Sequence, residues 1–154
     1  MTKPPDQPVQ VHWQTVYLSN PVDSVSWYRP HLEVSLARLE KAGMTPRSRV
    51  LDVGGGTGLY SIALLQQHKH LRGIEFDRPE VLKIAAEFAA KYGVGDRLSL
   101  IPGDMFADEL PTGADVILLS NILHDWDEPQ CAELVARCAK ALPASGRLLI
   151  HDVF

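Results

Sequence analysis

Two cysteines in 154 residues are the first scarcity of this chain. Cys131 and Cys138 lie seven apart on a predicted helix, able to share a face but too far apart to bridge. They read as reduced core thiols, which excludes a disulfide scaffold. No apolar run approaches the length of a membrane span, and the N-terminus has no signal-peptide core. A cytoplasmic protein without a membrane partner is therefore expected. Basic residues are outnumbered, 15 Lys+Arg against 19 Asp+Glu, and no dense basic run occurs, which argues against a nucleic-acid surface. His68 and His70 have no cysteine or carboxylate cluster beside them, so they read as solvated loop residues and no metal is expected. Repeats and low-complexity blocks are absent as well. The remaining composition, 45% hydrophobic and 22% charged, is that of a soluble globular protein. Its length suits one core that buries about two-thirds of the unfolded surface.

What is present is concentrated in Val50-Leu51-Asp52-Val53-Gly54-Gly55-Gly56-Thr57-Gly58. Apolar residues interleaved with one acid read as a short buried strand, the glycines force a tight turn, and Leu59, Ile62, Ala63, Leu64 and Leu65 continue as a helix. Such a turn brings backbone close to a ligand and aims the N–H groups of the helix N-terminus at it. The dinucleotide pattern G-x-G-x-x-G/A fails in both registers, ending on Leu59 from Gly54 and on Ser61 from Gly56. A phosphate-gripping loop fails too, because the turn contains no lysine.

Residues 1 to about 10, with Pro4, Pro5 and Pro8, read as a disordered lead-in. Asn20-Pro21 and Arg29-Pro30 read as helix starts, and Leu32, Leu36 and Leu39 mark one helical face that stops at Gly43. From there strands and helices alternate. Strands are predicted over 49–53, 71–76, 97–101, 114–120 and 146–153, and helices over 58–67, 79–92 and 127–142. The second helix turns Val81, Leu82, Ala85 and Phe88 inward. This alternation predicts an α/β, Rossmann-like, doubly wound and mostly parallel sheet with helices on both faces. It divides the chain into a lead-in over 1–45 and a binding core over 46–154. In such sheets ligands lie outside the carboxyl ends of the strands.

Polar residues collect at those ends. The second strand runs through Glu75 into Asp77-Arg78-Pro79, and an acid about 20 residues past the glycines suits both hydroxyls of a ribose. Glu75 and Asp77 both fit that role, and Asp77 also suits a helix cap before Pro79. The third strand ends at Gly103-Asp104-Met105-Phe106, where Asp104 suits an adenine amino group, or a turn, and Met105 suits packing on the ring. The fourth ends in Ser120-Asn121-Ile122-Leu123-His124-Asp125-Trp126-Asp127-Glu128.

An acid followed by G-x-G-x-G, here Asp52, Gly54, Gly56 and Gly58, resembles the first motif of class I S-adenosylmethionine (SAM)-dependent methyltransferases. Gly103-Asp104-Met105-Phe106 and Leu123-His124-Asp125-Trp126-x-Glu128 sharpen the resemblance to plant- and bacterial-type small-molecule O-methyltransferases. It covers roughly residues 49–153, and the His-Asp-Trp segment is far more specific than the glycine turn. The resemblance implies SAM as cofactor, held by Asp52, Gly54, Gly56, Gly58, Glu75, Asp77, Asp104, Met105 and Ser120. It favours Asp77 over Glu75 for the ribose, through its Asp-x-Pro context. His124 would be the general base for a small-molecule hydroxyl, and Asp152, one carbon shorter than the usual glutamate, would orient it. His151 and Asp152 point oppositely on a strand, and Asp152 is preferred for the site.

Two departures from that family stand out. The stretches His12-Trp13-x-x-x-Tyr17 and Asp23-Ser24-Val25-Ser26-Trp27-Tyr28 are similar to the N-terminal segment of another group of class I methyltransferases. Trp13, Trp27 and Tyr28 suit equally a lid over the cofactor and plain packing on the core. The complete sheet of the class has seven strands, and this chain is expected to lack the last two. A bare fifth strand would then be an apolar edge open to pairing, and to homodimer formation. The rival readings are nitrogen- or carbon-directed methyl transfer, a SAM-binding or assembly module without turnover, and, third, a nicotinamide dehydrogenase.

Overall fold

The computed structural model describes residues 47–152 together with Ala37, Lys41 and 43–45. Nearly all of the predicted lead-in over 1–45, including Trp13, Trp27 and Tyr28, lies outside the described residues. Lys41 is helical, and Gly43, with φ 73°, turns the chain towards the first strand. The elements that follow are β1 (Arg49–Val53), α1 (Leu59–Gln67), β2 (Arg72–Asp77), α2 (Pro79–Lys91), β3 (Leu98–Pro102), β4 (Val116–Ser120), α3 (Glu128–Ala141) and β5 (Arg147–His151). All strand pairs are parallel, in the order β3-β2-β1-β4-β5. The predicted α/β sheet is thus present, with boundaries displaced by one or two residues. Asp77 closes β2 instead of following it. Between β4 and α3 the chain makes a 3₁₀ turn at Leu123–Asp125, which strand and helix periodicity does not predict.

Strand alternation sends neighbouring residues to opposite faces, and both faces are covered. Val50, Val116 and Leu118 pack with Leu64, Leu65 and Ala89 of α1 and α2. Leu51, Val53, Ile117 and Leu119 pack with Leu134 and Cys138 of α3. Burial on two faces explains why β4 reads as an unbroken apolar run, Val-Ile-Leu-Leu. Two helices show their starts in the sequence. Pro79 opens α2, where Leu82, Ala85 and Ala89 recur at helical spacing and are buried. Asp127 opens α3 with a reciprocal capping box: its carboxylate accepts from Gln130 N–H at 3.0 Å, and the Gln130 side chain accepts from Asp127 N–H at 3.4 Å. A cap of this kind contributes about 1 kcal/mol.

The chain leaves β1 on one side for β2 and on the other for β4, so a crevice opens between β1 and β4 at their carboxyl ends. The glycine turn lies at that point.

Candidate functional site

Gly54, Gly56 and Gly58 adopt φ of 70°, 66° and 71°, a left-handed run that glycine alone adopts without strain. Neighbours close on the turn as well. A Cβ on Gly54 would stand 2.8 Å from Cδ1 of Ile122 and 3.7 Å from Sδ of Met105, so the ends of β3 and β4 both meet it. Gly54 N–H donates to Phe76 O at 2.8 Å, and Gly56 N–H donates to Oδ2 of Asp77 at 3.0 Å. Oδ1 of Asp77 accepts from Arg78 N–H at 2.7 Å. Burial raises the Asp77 pKa, and the two backbone donors oppose that push. Arg78, not Asp77, occupies the cap position of α2.

The two acids of β2 part company here. Asp77 stands at the turn, whereas Glu75 lies beneath it, fully buried beside its register partner Asp52. A Cβ on Gly55 would meet Oε1 of Glu75 at 2.0 Å and Cγ of Asp52 at 2.6 Å. Oδ2 of Asp52 accepts from the Ser61 hydroxyl at 3.1 Å, while both Glu75 oxygens and Oδ1 of Asp52 have no hydrogen-bond partner. Burial pushes Asp52 up to about 7, opposed by Ser61 and reinforced by the charge of Asp77. Glu75 is raised well above the carboxylate range, first by burial and then by Asp52 and Asp77.

At the end of β3, Oδ1 of Asp104 accepts from the N–H groups of Phe106 (2.9 Å) and Ala107 (3.3 Å), a turn-forming role. Its Oδ2 pairs with Nη2 of Arg78 at 3.1 Å. An open cavity of about 330 Å³ lies here, lined by Arg78, Pro79, Pro102, Gly103 and Asp104 among others.

The second half of the site stands at the ends of β4 and β5. Nδ1 of His124 lies 2.5 Å from Oδ1 of Asp152, and Oδ2 of Asp152 accepts from Leu123 N–H at 2.7 Å. The Asp152 side chain is fully buried and that of His124 is one-third exposed, 34%. A carboxylate accepts at Nδ1, so hydrogen bonding assigns the ring proton to Nδ1 and leaves the Nε2 lone pair for other work. Oδ1 of Asp125 lies 3.7 Å from Nε2. Trp126 packs edge-on against Phe106 at 4.7 Å, and the Cys131 thiol donates to Leu123 O at 3.3 Å, both bracing the 3₁₀ turn. His151 stands on the opposite face, its Nδ1 3.5 Å from Oγ of Ser120 and its ring edge-on to Tyr60.

Three participants escape a reading of local pattern: Arg78, through Asp104, and Tyr60 and Asn121, which hydrogen-bond each other at 3.1 Å. Each acts through a partner at least 26 residues away, so no local spacing announces it. Among the described residues no group of three His, Cys, Asp or Glu could hold a metal, and no helix is long and apolar enough to cross a membrane.

A family model described as an O-methyltransferase domain matches residues 32–154. The chain is 47% identical over 105 residues to a 3-hydroxy-5-methyl-1-naphthoate 3-O-methyltransferase of Streptomyces sahachiroi, an alignment covering 68% of this chain and 30% of that protein. It resembles an O-methyltransferase family 2 protein of Planctomyces limnophilus solved with apigenin, at 48% identity and TM-score 0.67, covering 80% of this chain and 43% of that one. It also resembles NcsB1, an O-methyltransferase from neocarzinostatin biosynthesis solved with SAM and 2-hydroxy-5-methyl naphthoic acid. There the identity is 31% and the TM-score 0.65, covering 77% of this chain and 39% of that one. The chain thus spans about a third of the length of the curated relatives it matches.

Proposed function

Since the chain belongs to the O-methyltransferase domain family, we propose that it binds SAM at the glycine turn and serves methyl transfer to a small-molecule hydroxyl. The donor set fits that cofactor. The turn leaves room for close approach of a ligand at its glycines, carries the acid Asp77 at its rim and has no lysine, which suits a ligand with a ribose but no phosphate. Gly54, Gly56 and Gly58 line the cofactor, Asp77 takes the ribose hydroxyls, and Asp104 with Met105 takes the adenine. Ser120 lies at the end of β4 on the α1 face, and Asp52 supports the turn from below. When bound, SAM supplies a methyl group on a sulfonium, both electrophile and leaving group.

The protein's own tasks are to align the acceptor and to remove its proton. Alignment of reacting groups contributes roughly 7–11 kcal/mol. Nε2 of His124 takes the hydroxyl proton, and Asp152, accepting from Nδ1, fixes the ring and stabilises the imidazolium that forms. A base so placed contributes about 10²–10⁴-fold. The observation that carries this reading is the 2.5 Å contact between Nδ1 of His124 and the buried Asp152. Hydroxylated aromatic rings, named for two of the relatives, are the acceptor class proposed for this chain. A cytoplasmic enzyme is proposed with it. So is pairing of two copies along β5, which is an edge strand among the described residues and carries exposed Ile150.

Calorimetric titration with SAM and its demethylated product tests the cofactor site, with Asp77→Ala in parallel. Micromolar binding that weakens at least about tenfold in the variant supports it. Turnover of phenolic acceptors then tests the base: His124→Ala should lose roughly several hundred-fold. A loss of only a few-fold would sink the base assignment and favour a nitrogen or carbon acceptor. SAM bound but never consumed would favour a binding module.

A further inference from the structure

We infer that Asn121 is a positioning residue, whose left-handed backbone and hydrogen bond to Tyr60 fix the segment that presents His124 to Asp152. Asn121 has φ 55°, the one non-glycine residue with positive φ among those described. Such a conformation is uncommon for a residue bearing a Cβ, though Asn tolerates it better than most, and it persists only where surroundings hold it. Here it is held from two sides. Its N–H donates to His151 O at 2.8 Å, adding one more rung to the β4–β5 ladder. Its side-chain Nδ2 donates to Oη of Tyr60 at 3.1 Å. Tyr60 is a firm anchor: the second residue of α1, only 9% exposed, with its ring against His151.

The geometry downstream depends on this turn. β4 ends at Ser120, and a chain that continued extended would carry residues 122–124 along the strand direction. The left-handed step at Asn121 instead folds the chain back, so that Leu123 N–H and Nδ1 of His124 reach the two oxygens of one carboxylate. Residues 121–124 are therefore held to His151 and Asp152 by three hydrogen bonds, and to α1 by the Tyr60 bond. Because Tyr60 stands two residues past Gly58, that last bond ties the proposed base to the helix that begins at the glycine turn. The catalytic consequence rests on the proposed reading of His124; the positioning itself does not.

Three substitutions dissect the link. Tyr60→Phe removes only the hydroxyl, Asn121→Gly removes the side chain but keeps the left-handed backbone free of strain, and Asn121→Ala removes the side-chain bond and strains the left-handed backbone as well. The first readout is the low-field NMR resonance of the His124 Nδ1 proton, identified by its loss in His124→Gln. It should stay sharp in the unmutated chain, broaden in Tyr60→Phe and Asn121→Gly, and vanish in Asn121→Ala. The second is turnover: kcat should fall about tenfold in the first two variants and further in the alanine variant, with KM for SAM within about twofold. The double variant Tyr60→Phe/Asn121→Gly should lose no more than either single one. Additive losses, an alanine variant better than the glycine one, or an unchanged proton resonance with only a lowered Tm would overturn the inference. If His124→Ala costs only a few-fold, the base reading falls while the resonance still decides the positioning role.

Discussion

Two regions of the sheet bury carboxylate side chains completely, and their surroundings are opposite. At β4 and β5, Asp152 gives one oxygen to a backbone N–H and the other to an imidazole. At β1 and β2, Asp52 and Glu75 lie side by side with a single hydroxyl between them and three oxygens without a partner. A buried carboxylate whose two oxygens both accept hydrogen bonds can aim its partner, whereas buried acids short of donors are shifted towards their protonated forms. Burial alone therefore says little about a carboxylate's job. The donors around it decide.

The sharpest way to break that contrast is to neutralise each acid in turn. Asp152→Asn removes the charge that steadies His124 and should lower kcat about 100-fold, near 2.7 kcal/mol, in an assay with a phenolic acceptor. Asp52→Asn should leave kcat within a few-fold, since the hydrogen bond of that acid is to Ser61 and not to His124. Equal losses in the two variants would mean that the two carboxylates are not used differently.

Next in size is the glycine above the acid pair. Gly55→Ala drives a methyl into Glu75 and Asp52, and overpacking of this kind costs about 1–3 kcal/mol. Thermal melting should fall by roughly 3–10 °C, and SAM affinity should fall with it. Glu75→Ala in the same chain should restore part of both.

The pH dependence follows from the direction of the shifts. Asp52 and Glu75 are raised above the values they have in an unfolded chain, so the folded state binds the extra protons. Their contribution to stability is fully present below the ordinary carboxylate range; that of Asp52 is lost as pH rises through about 7, and that of Glu75 is likewise lost as pH rises. Melting temperature should therefore decline between about pH 4 and pH 7. In Asp52→Asn/Glu75→Gln the curve should flatten. The smallest effect belongs to the surface: Arg78→Leu breaks a half-exposed ion pair with Asp104 and should cost at most about 0.5 kcal/mol in denaturant unfolding. A larger loss of SAM affinity in that variant would mean that Arg78 orients Asp104 for the adenine.

Much of this was legible in the chain before folding. Every predicted strand and helix from residue 49 onward has its counterpart, because apolar periodicity and the punctuation by Gly54–Gly58, Pro79 and Asp127 are local signals. His124 and Asp152 could be named from motif context, and they do meet, 28 residues apart in sequence. By sequence Asp104 suits either a turn or an adenine contact; in the fold its Oδ1 makes the turn while Oδ2 pairs with Arg78. The 3₁₀ turn and the left-handed Asn121 had no local signal strong enough to place them.

By itself, then, the sequence determined the alternating α/β order and the position of the turn, since both depend on residues within one or two helical turns of each other. Only the tertiary structure decided what surrounds each acid. Parallel registration sets Asp52 beside Glu75 and Ser120 beside His151, and one residue further along it brings Asp152 under His124. Side-chain alternation then sends Asp152 and His151 to opposite faces, because a strand repeats every two residues. Those pairings join segments about 20 to 30 residues apart, at distances where spacing along the chain carries no information and only the packed sheet does.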